Sequence, residues 1–271
     1  MHAEHVHLTK EKETLLWTLY CRALDSRSKH PILHDKAAEE VVGRIDYDFR
    51  KLKIAPDDVI GFAVRSKYLD QWTRDFLAAH PEAMVLHLGC GLDSRVERID
   101  PPKSVRWYDV DFPDVIEVRR RLYPPRDGYC MIGADVEDKR FLDQIPTTGP
   151  VMIVAEGLFT YLPEHEVKDL LQRLTSHFPS GQLAFDVMSR SAVRIAKWNS
   201  TLRATGAQMR WGIDDLRVLE QWVPRLQRVR EVALTEAVES ARISWGYLFL
   251  YRVANLLPLW RRMVRFLLYQ F

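Results

Sequence analysis

The chain has 271 residues, 47% of them hydrophobic and 28% charged, with a formal net charge of +2. That length suits one large α/β domain or two small ones, and the composition is that of an ordinary soluble globular protein. No polyanion footprint follows from the charge, which excludes nucleic acid from the expected partners.

Met1 to His7 contains no apolar segment of signal-peptide type, so export is not expected. His2, His5 and His7 read as a polar terminus, with a metal site as the alternative, and no metal is expected. Leu15, Leu16, Leu19, Tyr20, Ala23 and Leu24 recur at helical spacing, as do Val64, Tyr68, Leu69, Trp72, Phe76 and Leu77. These helices precede the sheet pattern, so residues 1–80 are expected to form a helical amino-terminal cap. Cys21, Cys90 and Cys130 have no metal-type spacing and read as reduced, packed thiols of a cytoplasmic protein.

From residue 83 strand and helix patterns alternate. Apolar runs at Met84 to Leu88, Val105 to Val110, Tyr129 to Ile132, Val151 to Ala155 and Leu183 to Val187 are spaced for crossover helices. Such alternation predicts an α/β fold with a mostly parallel sheet wrapped by helices over 81–271. The clearest crossover helix follows Pro163, which suits a first helical position, with Val167, Leu170, Leu171, Leu174 and Phe178 on one face. Beyond residue 206 the pattern gives only a helix, a strand pair and a closing segment. Tyr247 to Phe271 is broken by Arg252, Asn255, Pro258, Arg261, Arg262 and Arg265, short of the roughly 18 apolar residues that span a bilayer. It reads as a core-packing helix and strand, with contact to a membrane surface or a second subunit as the alternative.

The chemistry concentrates after the first strand. In Val85 to Arg95 (VLHLGCGLDSR) the apolar run breaks at Gly89, Cys90 and Gly91, and Asp111 closes the next strand. Glycines there admit a close ligand, and an acid about 20 residues on can accept from ribose hydroxyls. The third glycine of a dinucleotide fingerprint is missing, and Asp93 would oppose a pyrophosphate. A phosphate-free adenosine cofactor fits better, namely S-adenosylmethionine. Asp93, Asp111, Asp135 and Glu156 fall at four successive strand ends, on one edge of a parallel sheet. Asp111 is read as the ribose ligand, Asp135 as the partner of the adenine amine and Glu156 as the partner of the methionine ammonium. Arg65 is the expected partner of the methionine carboxylate, because its planar fork matches that group.

Glu13 to Ala23 (ETLLWTLYCRA), Asp35 to Glu40 (DKAAEE), Ile45 to Phe49 (IDYDF), the glycine turn, Trp107 to Pro113 (WYDVDFP) and Ala155 to Leu162 (AEGLFTYL) together resemble the leucine carboxyl methyltransferase superfamily. Within it the chain is most similar to the bacterial branch of polyketide O-methyltransferases typified by the tetracenomycin enzyme. The resemblance implies a class I, Rossmann-like methyltransferase fold and methyl transfer to an oxygen, commonly a carboxylate. It also implies cofactor contacts at Arg65, Gly89, Asp111, Asp135, Val136 and Glu156, with a further amino-terminal cation at Arg22.

A carboxylate acceptor is ionised at neutral pH and needs no base, whereas a phenol needs one. Tyr161 and His165 are the expected pocket residues for that role, and Arg22 and Arg190 the expected cations for an acidic acceptor. The segment from about 8 to 60, with Trp17, Tyr20, Tyr47 and Phe49, is expected to close over the cofactor and supply part of an apolar acceptor pocket, the alternative being a helical layer on a sheet face. The expected partner is a small-molecule acceptor, with no stable membrane insertion and a homo-oligomer left open. Competing readings are a nicotinamide dehydrogenase, a non-catalytic S-adenosylmethionine-binding protein and a methyltransferase for protein carboxyl termini.

Overall fold

The computed structural model describes residues 13–52, 54–198, 206–239 and 245–271. His2, His5 and His7 lie outside the described residues. Seven strands form one sheet in the order β3-β2-β1-β4-β5-β7-β6: β1 Met84–Leu88, β2 Arg106–Asp111, β3 Tyr129–Gly133, β4 Val151–Ala155, β5 Gly181–Met188, β6 Gln227–Ala233 and β7 Val264–Gln270. The first five pair in parallel, and β7 runs antiparallel to both β5 and β6. The five parallel strands follow the apolar runs read from sequence to within two residues at either end.

β1 and β4 are neighbours, and the strand order runs away from them in opposite directions. Crossovers leaving this pair go to opposite sides, opening a crevice beyond the carboxyl ends of β1 and β4. Every residue of both strands is buried. Side chains alternate between two cores, as the strand period demands: Leu86, Leu88 and Ile153 face one layer, Val85, Met152 and Val154 the other.

Helix α1 (Glu13–Ser26) and α2 (Lys36–Arg44) pack against each other and against α5 (Pro113–Leu122) and Leu92 of the glycine turn. Helix α3 (Pro56–Ala79) instead lays Val64, Leu69, Trp72 and Phe76 on the sheet face holding Val85 and Val154. The helical stretch before residue 80 therefore has two parts, one over the strand ends and one against the sheet. Helix α4 (Arg95–Ile99) follows the glycine turn directly. Helix α6 (Glu164–His177) buries the predicted Val167, Leu170, Leu171 and Leu174, with Pro163 as N-cap rather than first helical residue.

Helices α7 (Arg190–Ala196) and α8 (Arg217–Trp222) follow β5, and α9 (Leu234–Glu239), α10 (Trp245–Leu256) and α11 (Pro258–Arg261) separate the antiparallel pair β6 and β7. Strand β7 packs in the core as expected, but most apolar residues of α10 and α11 do not: Trp245, Leu256 and Trp260 are exposed, while Tyr251 packs on the core. Cys21 and Cys90 are buried, while Cys130, on β3 at the sheet edge, is exposed rather than packed. Among the described residues no helix is long and apolar enough to cross a membrane.

Candidate active site

Strand β1 ends at Leu88, and the chain turns through Gly89 at φ 59° and Gly91 at φ 50°, a region that L side chains enter only with strain. A Cβ on Gly89 would lie 3.1 Å from the Leu158 side chain, and one on Gly91 would lie 2.6 Å from that of Leu15 in α1. The turn is thus wedged between the β4 loop and the cap. Burial keeps the Cys90 thiol protonated, well above its ordinary range.

Asp111 locks this turn. Its Oδ2 accepts the Gly91 N–H at 2.7 Å and its Oδ1 accepts the Phe112 N–H at 2.7 Å. Burial raises its carboxyl pKa, and the two N–H bonds oppose the rise. Each carboxylate oxygen has two lone pairs, so each retains capacity for a second donor. Asp135 Oδ1 accepts the Glu137 N–H at 3.0 Å, and Val136 beside it is buried.

Glu156, one residue past β4, holds a cluster of buried cations. Its Oε1 accepts from Arg65 Nε at 3.1 Å and from Ser66 Oγ at 2.9 Å, its Oε2 accepts from Arg95, and Arg22 lies 3.9 Å away. Burial alone would raise the Glu156 carboxyl, but Arg65 and Arg95 outweigh it and hold the group well below the carboxylate range. Arg65 reaches onward to Asp186 Oδ2 at 3.2 Å, and Asp186 Oδ1 accepts the Gly157 N–H at 2.6 Å. Arg22 is buried, and its Nε has no hydrogen-bond partner among the described residues.

Asp93 is not a free acid on the rim. Arg98 contacts it at 2.6 Å and Arg95 at 3.3 Å, and both arginines also bind Asp70 of α3. These cations, with Arg22, overcome the effect of burial and keep Asp93 ionised.

These groups line one cavity of about 480 Å³, within the range of cofactor sites. Arg22, Arg65, Gly89, Cys90, Gly91, Asp111, Asp135, Val136, Glu156 and Tyr161 all contribute to its wall. His165 and Arg190 do not. His165 is in the first turn of α6, its side chain 78% exposed and beside Glu166. Arg190 opens α7 on the surface, its N–H bonded to Asp214. Sequence spacing brings both near a strand end, but helix direction turns them away.

The structure adds residues that sequence reading missed. Asp186 lies inside the apolar run of β5, where a lone carboxylate in a buried strand was the available signal. Phe62, Met188, Met209 and Phe266 add apolar lining to the cavity beside Trp17, the one aromatic of the four expected from the amino-terminal segment that lines it, and Arg210 lines it where Arg190 was expected. Among the described residues no group of His, Cys, Asp and Glu is placed to hold a metal ion.

The leucine carboxyl methyltransferase family profile matches residues 16–175. The chain is 50% identical over 224 residues, 83% of each chain, to the tetracenomycin polyketide synthesis O-methyltransferase TcmP of Streptomyces glaucescens. It is 36% identical over 272 residues, 92% of this chain and 91% of the other, to the S-adenosyl-L-methionine-dependent methyltransferase dpfgK of Gibberella zeae. Its fold matches a crystal structure of an S-adenosylmethionine-dependent methyltransferase from Anabaena variabilis with a TM-score of 0.52 and 13% identity, covering 100% of this chain and 98% of that one. The mixed sheet wrapped by helices is the class I methyltransferase fold. With more than half of its length matched by the family profile, the chain belongs to the leucine carboxyl methyltransferase family and is an enzyme of methyl transfer.

Proposed function

We propose that this chain binds S-adenosylmethionine in the crevice beside β1 and β4 and methylates an oxygen of a small, largely apolar acceptor. The convergence of Asp111, Asp135 and Glu156, from the ends of three strands, on one glycine-floored cavity carries this reading. When bound, the cofactor supplies an electrophilic methyl group.

The residues present fit that cofactor. Asp111 is fixed by two backbone N–H groups and keeps one acceptor site per oxygen for the two ribose hydroxyls. Asp135 has Oδ2 left for the adenine amine, and Val136 offers apolar contact to the ring. A zwitterionic amino-acid end meets a preformed ion pair of opposite sense, Arg65 with Glu156, so partners exchange without a net change of buried charge. Arg22, whose Nε makes no hydrogen bond and only long ion pairs to Asp35 at 3.6 Å and Asp93 at 3.8 Å, suits the cofactor carboxylate beside Arg65 better than it suits the acceptor.

The rest of the wall suits a flat apolar acceptor such as an aromatic polyketide, held between Trp17, Phe62 and Met209. The relative TcmP is named for polyketide synthesis. A carboxylate acceptor needs only placement and exclusion of water, and orientation alone contributes ~7–11 kcal/mol. Arg210 is the cation available to such an acceptor, and of the two groups expected as a base only Tyr161 lines the cavity.

Release of S-adenosylhomocysteine with matched aromatic carboxylic acids and phenols tests this. Turnover of an acid that survives Tyr161→Phe supports attack by the carboxylate itself. Tight cofactor binding without turnover on any acceptor contradicts the enzymatic reading, and methylation confined to a peptide carboxyl terminus contradicts the small-molecule one.

A further inference from the structure

We infer that α10 and α11 form a docking surface for an anionic lipid membrane, a property separate from the methyl-transfer site. Helix α10 is anchored by its polar side. Asn255 Oδ1 accepts a 3.0 Å hydrogen bond from Thr235 of α9, and the half-buried Tyr251 packs on the core. The opposite face is apolar and open to solvent. Trp245, Phe249, Val253 and Leu256 follow one another at helical spacing, and Leu259 and Trp260 of α11 extend the stripe. Eight of the twelve large hydrophobic side chains exposed among the described residues lie between 245 and 260. A contiguous apolar face of this kind marks an interaction surface rather than scattered exposure.

Charge selects the occupant. From residue 241 to 271 the sequence has five arginines and no aspartate or glutamate, although the whole chain carries a net charge of only +2. Arg252 flanks the stripe on α10, and Arg261 and Arg262 close it; all three are exposed. Beside Leu256 a recess of about 500 Å³ is lined by Arg261, Arg262 and Arg265 with Glu231 and Glu236. Arg261 pairs with Glu236 at 3.6 Å, and the buried Arg265 is held by Glu231 at 3.4 Å and the Ile213 carbonyl at 2.6 Å, which leaves the exposed Arg262 with no ion pair among the described residues. The recess thus keeps one cation in excess for a lipid headgroup phosphate. Aromatic and aliphatic residues on one face with arginines at the edge are the requirement for a helix lying in a membrane interface. A second copy fits less well, because a two-fold contact of this face with itself would oppose Arg252, Arg261 and Arg262 to cations.

Flotation of the full chain with vesicles of phosphatidylcholine alone, or of phosphatidylcholine with phosphatidylglycerol, tests the inference. The chain should float with the phosphatidylglycerol vesicles at least about twenty-five-fold better than with the neutral ones, and high salt should abolish the difference. Arg252→Glu with Arg262→Glu should weaken binding to the anionic vesicles by about twenty-five-fold or more, each arginine counting for about five-fold or above. Trp245→Ser with Trp260→Ser should abolish binding, with the thermal unfolding midpoint unchanged because both side chains are exposed. No flotation with either vesicle, equal flotation with both, or a dimer in sedimentation velocity that the tryptophan variants split would each overturn it.

Discussion

Arg65 and Glu156 meet across the crevice, Nε to Oε1 at 3.1 Å, although 91 positions separate them in the chain. One comes from a helix on the sheet face and the other from the loop after β4, so the pair ties two layers together at the proposed amino-acid end of the cofactor. Arg95 and Ser66 bind the same carboxylate, which makes Glu156 the anion that balances a buried cationic cluster.

Glu156→Gln removes that anion while keeping the shape of the side chain. Cofactor affinity should fall by ~1.5–3 kcal/mol, roughly ten- to hundred-fold, the value of a charge-assisted hydrogen bond. Thermal stability should fall as well, because Arg65 and Arg95 lose a buried counter-charge. Calorimetry with S-adenosylhomocysteine and a melting curve separate the two effects, and unchanged affinity would contradict the role given to Glu156.

Gly91→Ala puts a side chain where φ is 50° and where the new Cβ falls 2.6 Å from Leu15. The left-handed backbone should cost about 1–2 kcal/mol, and the cap helix must shift as well. Combining it with Leu15→Ala should recover the part due to contact and leave the backbone part. Denaturant midpoints for the four members of this cycle should be non-additive, and strict additivity would mean that the turn and α1 are not in contact as described.

Asp109 accepts from Trp107 Nε1 at 2.8 Å and from Tyr129 Oη at 2.6 Å and pairs with Arg119. Burial pushes its carboxyl up, but Arg119 outweighs this and holds it at about 2, below the ordinary 3.8. A depressed carboxylate contributes stability that is complete above its unfolded value and is lost as pH falls through the folded one. The wild type should therefore lose about 2 kcal/mol from this group between roughly pH 4 and pH 2. Asp109→Asn should be less stable at pH 7 and show a flatter acid limb. Buried Asp111 and Asp186, whose values are raised by burial, act in the opposite sense. An acid limb as steep in Asp109→Asn as in the wild type would contradict this assignment.

The parallel strands were legible because each is a short apolar run, buried throughout in the central β1 and β4, and Asp111, Asp135 and Glu156 were legible because such strands end on a common edge. Strand β6 was read only as one of an unplaced strand pair, since five of its seven residues are exposed at the sheet edge and carry no apolar pattern. The arginine cluster was also hidden. Its pairs, such as Arg98 with Asp35 at 2.7 Å, join positions 63 apart, and no local period records such a partner. His165 was misplaced for a related reason: closeness in sequence to Glu156 says nothing about which side of α6 faces the cavity.

The most direct measurement is a calorimetric titration of the wild type and Asp111→Ala with S-adenosylhomocysteine and, separately, with NAD. The account predicts saturable binding of S-adenosylhomocysteine, at least about ten-fold weaker in Asp111→Ala, and no heat with NAD. Absence of binding to the wild type, or equal affinity in the two proteins, would remove the cofactor from the crevice between β1 and β4.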